Sequence, residues 1–273
     1  MTPSAAAEFL AEHALLLLAV ALVLTALAVG AVMELARVAV GYKETVWRAM
    51  DVVVPGHLWR PRTYLAVHLA LGLVLAAAVV VFADIAEEAL GGDELADFDV
   101  AFAAALHGGT SPAWHTFFWY LTWLGSAPAI TAISTVVVVR LVQQDRRLLA
   151  LMFAISQAGA AVLNYVMKVS FGRPRPENAD PLLYASSLSF PSGHAMATIV
   201  LSGVGAYLVT RLVSSWRRRA VLVALLLSWP VLIGFSRLYL GVHYVSDVAA
   251  GYAAGVAWVA VCVSGVEIAM RRE

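Results

Sequence analysis

The sequence is poor in charged residues and almost free of cysteine. Only 13% of its 273 residues are Asp, Glu, Lys or Arg, whereas 62% are hydrophobic. A typical soluble domain carries about twice that charged share. The formal net charge is zero, which gives no support for nucleic-acid binding. The single cysteine, Cys262, excludes an intramolecular disulfide and a cysteine-based metal site. This composition indicates an integral membrane protein.

The first thirteen residues contain no Lys or Arg, so the basic start of a signal peptide is missing. The apolar run that follows is also too long for one. We therefore expect a retained transmembrane segment at the N-terminus.

Seven runs approach or exceed the roughly 20 apolar residues that a helix needs to cross a membrane. None alternates between polar and apolar residues, as the strands of a membrane barrel do. We predict an all-α, polytopic membrane bundle: a six-helix core at 65–266, preceded by one extra helix within 1–64 and followed by a tail at 267–273. The predicted spans are Ala14–Val40, Leu65–Ala83, Ala113–Val139, Leu148–Lys168, His194–Thr210, Ala220–Ser236 and Val245–Val266.

Basic residues gather in alternate connections and in the tail, which places most of them on one side of a seven-span bundle. The positive-inside rule makes that side cytoplasmic and puts the N-terminus outside. These residues are Arg37, Lys43, Arg48, Arg60, Arg62, Arg140, Arg146, Arg147, Arg211, Arg217, Arg218, Arg219, Arg271 and Arg272.

The connection after the second span is acidic. Within it, Leu95, Phe98, Phe102 and Leu106 recur at helical spacing, and we assign Asp93, Asp97 and Asp99 to the opposite face. This pattern predicts an amphipathic helix on the outer surface. It could be purely structural, or it could shape a lateral entrance for a lipid.

The stretch Ser236–Asp247 carries Arg237, His243 and Asp247 between two apolar runs, at a depth where charge is costly. His243 and Asp247 are four residues apart, so on one helix the carboxylate could accept a hydrogen bond from the imidazole. The second ring nitrogen would then be free to attack. Taken alone, an Arg and a His that merely extend to the interface are an equal alternative.

Two further motifs fall on the same side. Lys168 is followed by V-S-F-G-R-P-R-P, in which Gly and Pro end the helix and leave Lys168, Arg173 and Arg175 close together. The segment Pro191–His194 opens the fifth span, where unpaired backbone N–H groups form an anion site. Gly193 would let an anion approach, and His194 could protonate a leaving oxygen. A capping Pro-Ser with an accidental His is the structural alternative.

Together these segments suit a phosphate group, with cations and amides for its oxygens, a nucleophile and an acid. No metal-ligand cluster accompanies them, so we expect neither a metal nor a cofactor.

At this point the chain resembles the type 2 phosphatidic acid phosphatase superfamily, membrane lipid phosphatases that share a core with vanadium haloperoxidases. The family pattern is Lys, six residues and Arg-Pro; then Pro-Ser-Gly-His; then Ser-Arg, five residues, His, three residues and Asp. Lys168 to Pro176, Pro191 to His194 and Ser236 to Asp247 match it without a departure.

The resemblance implies a phosphohistidine mechanism, and the distribution of basic residues places the site at the extracytoplasmic face. His243 would be the nucleophile, Asp247 would orient it, and His194 would protonate the leaving group. The phosphoryl oxygens would be held by Lys168, Arg175, Ser192, Gly193 and Arg237. Since both histidines are expected at a solvent edge, replacing them should spare the fold.

The motifs would bind the phosphate group of a substrate, and they do not identify the lipid that carries it. Undecaprenyl diphosphate is our first candidate, followed by phosphatidylglycerol phosphate and phosphatidic acid. Phosphotransfer to another acceptor is the alternative reaction, and a lipid transporter is a less favoured alternative class. The sequence leaves the oligomeric state and the purpose of the first span open.

Overall fold

The computed structural model describes residues 3–50, 60–92, 94–176 and 188–271. Within these ranges the chain forms ten α-helices, and the only β-type contact is a single bridge between Pro174 and Leu188. The helices are α1 (Pro3–Glu12), α2 (Ala14–Met50), α3 (Arg60–Gly91), α4 (Glu94–Gly108), α5 (Pro112–Thr122), α6 (Ala127–Gln143), α7 (Arg147–Phe171), α8 (Gly193–Leu212), α9 (Trp216–Tyr239) and α10 (Val245–Met270).

Six helices are long and apolar enough to cross a membrane: α2, α3, α7, α8, α9 and α10. Large side chains of α2 and α3 are exposed, for example Leu35 (69%) and Leu73 (73%), as expected for helices that face lipid. The predicted all-α membrane bundle is therefore confirmed. Its division at residues 64 and 266 stays a prediction.

The third predicted span is broken. Helices α5 and α6 meet at 46° around a short 3₁₀ turn, Trp123–Gly125, and the described helices make seven spans only if this bent pair is one crossing. Ser126 caps α6 by accepting the N–H of Ala129, and Pro128 has no N–H to continue a helix from α5. Gly125 lies so close to Ile233 that a Cβ there would come within 2.5 Å of it.

The three motifs lie at one end of the bundle, where α7 and α9 end and α8 and α10 begin; we call this the motif end. At the opposite end Arg211 of α8 pairs with Glu267 of α10. The starts of α7 and α9 carry Arg147 and Arg217 there as well. Asp93 and Arg272 lie outside the described residues, as do the side chains of Lys43, Arg48, Arg60 and Arg62.

Helix α4 is the predicted amphipathic helix, and it lies at the motif end. Phe102 and Leu106 are buried against Ala7 and Ala11 of α1, whereas Asp97 is exposed. The assignment of Asp99 to the polar face is wrong, because this side chain is fully buried. Positions 95, 99, 102 and 106 are spaced by four, three and four residues, so Asp99 belongs to the buried stripe.

The start of α8 is held tightly against α10. A Cβ at Gly251 would lie 2.7 Å from the backbone oxygen of Ser192 and 3.1 Å from the Cβ of Ala195. Because a backbone atom cannot rotate away, any side chain at Gly251 must push the two helices apart. The spacing of the motifs therefore depends on this glycine.

We predict that Gly251→Ala destabilises the protein by about 1–3 kcal/mol, the usual effect of overpacking a close contact. Thermal unfolding in detergent, followed by intrinsic fluorescence, measures this. Gly265→Ala is the matched control in the same helix, since its Cβ would meet nothing within 4 Å. Equal unfolding temperatures for the two variants would contradict the packing argument.

Candidate active site

Two helices end at glycines that turn the chain toward the site. Gly172 follows α7 with a φ of 65°, and Gly241 follows α9 with a φ of 66°. This left-handed conformation is available to glycine at little cost, so the chain turns within one residue of the end of α7 and within two residues of the end of α9. Lys168 and Arg237 lie in the last turns, and Arg175 and His243 lie just beyond. The turns thereby bring the first and third motifs to one place.

Helix α8 begins at the second motif. The backbone N–H of Ser192 donates to the backbone oxygen of Asp247 at 2.9 Å, which ties this start to α10. The hydroxyl of Ser192 is buried and has no hydrogen-bond partner among the described residues. It does not cap the helix, so it is available to a bound group.

Gly193 meets a neighbouring side chain. A Cβ at this position would lie 2.9 Å from Oδ1 of Asn164, and the amide of Asn164 donates to the carbonyl of Pro191 at 3.3 Å. The glycine thus allows α7 and α8 to approach each other. The hydrogen bond of Asn164 ties α7 to the segment that precedes α8.

His243 and Asp247 are in contact as predicted, with Nδ1 and Oδ2 at 3.2 Å. The same Oδ2 accepts the backbone N–H of Tyr244 at 2.9 Å. On the other side of the ring, an Arg175 nitrogen lies 3.2 Å from Nε2. A guanidinium only donates, so Nε2 must accept and the ring proton must be on Nδ1. The contacts define a neutral imidazole whose Nε2 lone pair points to a cation.

Three cations of the motifs surround this ring. Lys168 donates to the carbonyls of Leu188 and Ser189 at 2.9 and 3.1 Å. Arg175 also donates to the carbonyl of Val242 at 2.6 Å. Arg237, only 1% exposed, donates to the hydroxyl of Thr122 in α5 at 2.9 Å. These contacts are with carbonyl and hydroxyl oxygens.

His194 stands in the first turn of α8, within electrostatic reach of Arg237, His243 and Arg175. The expected solvent edge is wrong for His243, which is 3% exposed.

Residues 147–271 match the model of the PAP2 superfamily. This segment contains all three motifs. Over this segment the chain is similar to the PAP2 superfamily. The family resemblance seen in the sequence is therefore confirmed, and the three motifs can be called PAP2 motifs.

Known PAP2 proteins share both sequence and fold with this chain. Phosphatidylglycerophosphatase B of Bacillus subtilis (strain 168) is 40% identical over 98 residues, which are 35% of this chain and 47% of the relative. The match thus spans about half of that relative's length. The crystal structure of a transmembrane PAP2-type phosphatidylglycerolphosphate phosphatase from Bacillus subtilis has a TM-score of 0.65 and 25% identity. That similarity covers 71% of this chain and 96% of the solved one.

One arginine within the first PAP2 motif is used differently from its neighbours. Arg173 donates to Asp247 Oδ1 at 2.8 Å and to Asp99 Oδ2 at 2.9 Å. Arg173, which the family pattern does not assign to the phosphoryl oxygens, therefore already has two carboxylate partners. Sequence reasoning missed Asp99 because it was counted among the surface acids, although its heptad-like spacing gave a signal.

The electrostatics of the site favour an uncharged His243. Burial lowers the pKa of its ring well below the ordinary 6.5, and the charges of Arg175, Arg237 and Lys168 lower it further. For Asp99, burial raises the pKa, while the hydrogen bonds from Ser246 and Arg173 oppose that effect. The ring of His243 therefore favours its neutral form at neutral pH.

We predict that His243 stays neutral and protonated on Nδ1 from about pH 8 down to about pH 6. Because its folded pKa lies below the unfolded value, the ring favours folding above pH 6.5 and loses this contribution as the pH falls through the folded pKa. Nitrogen NMR of histidine-labelled protein checks this, with His243→Asn identifying the signal. Proton uptake at or above pH 6.5 would contradict the prediction.

Proposed function

We propose that this protein is an integral-membrane lipid phosphatase that works through a phosphohistidine. The observation that carries the proposal is the His243–Asp247 pair, whose second ring nitrogen faces Arg175, with Lys168 and Arg237 within electrostatic range. The match of residues 147–271 to the PAP2 superfamily model supports the assignment. The two relatives also support it, because both are named as phosphatases.

In the first step, Nε2 of His243 attacks the phosphorus of the substrate and the bond to the leaving oxygen breaks. Lys168, Arg175 and Arg237 neutralise the charge on the phosphoryl oxygens, and the Ser192 hydroxyl and the start of α8 donate hydrogen bonds. Asp247 stabilises the positive charge that develops on the ring of His243. The arriving phosphate anion favours a protonated His194, which gives its proton to the leaving oxygen.

In the second step, water attacks the phosphohistidine. His194, now neutral, accepts a proton from this water as the nitrogen–phosphorus bond breaks. Inorganic phosphate leaves, and His243 returns to its neutral form.

The charge neutralisation that magnesium supplies in many phosphoryl-transfer enzymes would come here from side chains. Among the described residues, no three His, Cys, Asp or Glu side chains form a group that could hold a metal ion. Arg175 and Arg237 are already positioned around the ring. We therefore propose a metal-independent reaction.

The substrate we propose to test first is phosphatidylglycerol phosphate, because the named relatives act on it. Its diacyl tails would remain in the bilayer while the phosphate enters the cluster. Undecaprenyl diphosphate, ranked first on sequence grounds, and phosphatidic acid stay predictions.

We expect wild-type protein in detergent to release inorganic phosphate from phosphatidylglycerol phosphate with EDTA present. His243→Ala should lose about 10³-fold or more of the rate because the nucleophile is gone. His194→Ala should lose about 10²–10⁴-fold, the usual contribution of a general acid. A phosphate-release assay measures all three proteins.

His13→Ala is the matched control, since His13 is exposed and lies in the N-terminal helices. Thermal unfolding of every variant shows whether it is folded. Loss of activity in EDTA that magnesium restores would contradict the metal-free reaction. Wild type that releases phosphate only with an added acceptor would favour phosphotransfer, and binding without turnover would favour a transporter.

We also propose that the site faces the extracytoplasmic side, with the C-terminus in the cytoplasm. This is supported by the separation of charges, because Arg147, Arg211 and Arg217 lie at the end opposite the motifs. Helix α1 packs against α4 at the motif end, so the N-terminus would lie outside as well.

Cysteine labelling tests this orientation. In a Cys262→Ala background, Gly109→Cys places a thiol in an exposed loop at the motif end, and Gln144→Cys places one at the opposite end. An impermeant maleimide on intact cells should label the first protein and should label the second only after lysis. The reverse pattern would overturn the orientation.

A further inference from the structure

Beyond the three motifs, a buried ion pair links α4 to the candidate nucleophile. The guanidinium of Arg173 bridges two carboxylates: one nitrogen lies 2.8 Å from Asp247 Oδ1, and the other lies 2.9 Å from Asp99 Oδ2. Both carboxylates are fully buried, and Arg173 is 9% exposed. This bridge joins α4, the segment after α7, and α10.

Ser246 completes the bridge. Its backbone N–H donates to Asp99 Oδ1 at 3.1 Å, and its hydroxyl contacts Asp99 Oδ2. The same hydroxyl lies 2.7 Å from the Arg173 nitrogen that holds Asp247. Asp99 therefore accepts from donors at both of its oxygens. Such a fully satisfied network is rigid, whereas a half-satisfied one is costly.

As a result, both carboxylate oxygens of Asp247 have hydrogen-bond partners. Oδ1 faces Arg173 at 2.8 Å and the hydroxyl of Ser189 at 3.4 Å. Oδ2 accepts from the backbone N–H of Tyr244 and contacts the His243 ring. The carboxylate cannot rotate without breaking several bonds, so Oδ2 stays directed at Nδ1 of His243.

Arg173 is poorly placed to bind a phosphate itself. Its two terminal nitrogens are engaged by carboxylates, and its guanidinium carbon lies 4.3 Å from the centre of the Tyr244 ring. Burial alone would lower the pKa of this guanidinium, but the charges of Asp247 and Asp99 outweigh that effect and raise it. The group therefore remains a permanent cation between two acids.

We propose that Asp99 and Arg173 are positioning residues, which fix the carboxylate of Asp247 and through it the direction of the His243 nucleophile. The inference rests on the proposed phosphatase function. It gives α4 a part in the reaction although none of its residues belongs to a motif.

The test combines Asp99→Asn and Arg173→Lys with Asp247→Asn. An Asn at position 99 replaces one carboxylate oxygen with an amide NH₂ group. This donor would face the donor groups of Ser246 or Arg173, so the hydrogen bonds of the bridge must rearrange. A Lys at 173 keeps the charge but offers one nitrogen where the fork spans two carboxylates. We expect each change to lower kcat by about 10²-fold with KM nearly unchanged, as for a misplaced reacting group.

If Asp99 and Arg173 act through Asp247, either change should add little further loss in the Asp247→Asn background. Asp97→Asn is the matched control, an exposed acid two positions away on the same helix, and it should leave kcat and KM unchanged. Variants that unfold at lower temperature but retain kcat, or losses that multiply with that of Asp247→Asn, would overturn the inference.

A readout without turnover separates this inference from the proposed function. In histidine-labelled protein, Asp99→Asn and Arg173→Lys should shift the Nδ1 signal of His243, and Asp97→Asn should not. If wild type releases no phosphate but the signal shifts, the phosphatase assignment fails and the bridge stands. If His243→Ala is inactive while Asp99→Asn and Arg173→Lys keep full kcat and an unchanged signal, the phosphatase stands and the positioning role fails.

Discussion

The carboxylate of Asp247 is the point on which the arrangement of the motif end depends. Its side chain contacts His243, the backbone N–H of Tyr244 and Arg173, and its backbone oxygen accepts from Ser192. One residue thus touches segments from all three motifs. A buried carboxylate is costly unless it is fully paired, so the loops around it have little freedom to move.

The cations around His243 have different kinds of partner. Lys168 and Arg237 donate to carbonyl and hydroxyl oxygens. Arg173 is instead held by two carboxylates. Arg173 therefore helps to fix Asp247, whereas Lys168, Arg175 and Arg237 add positive charge near the ring of His243.

Much of this arrangement could be predicted from sequence because membrane burial makes polar residues conspicuous. Lys168, Arg237 and His243 stand out against apolar runs, and helix-ending glycines place them at the ends of their helices. The burial of Asp99 was not predicted, because acidic residues are common in surface connections. Only the positions of the buried residues along α4 distinguish Asp99 from the exposed acids around it. The break between α5 and α6 near Gly125 was not predicted either. It depends on how Gly125 packs against Ile233, a residue distant in the sequence.

Helix α4 is held from two sides by different forces. Phe102 and Leu106 bury apolar surface against Ala7 and Ala11 of α1, which fixes the rotation of α4 about its axis but not its exact height. The ion pair between Asp99 and Arg173 is directional and sets that height. Since the apolar contact is non-directional and the ion pair is short-ranged, both are needed to bring a carboxylate from a surface helix to the level of Asp247. The N-terminal helix α1, which carries none of the motifs, is thereby joined through α4 to the residues around His243.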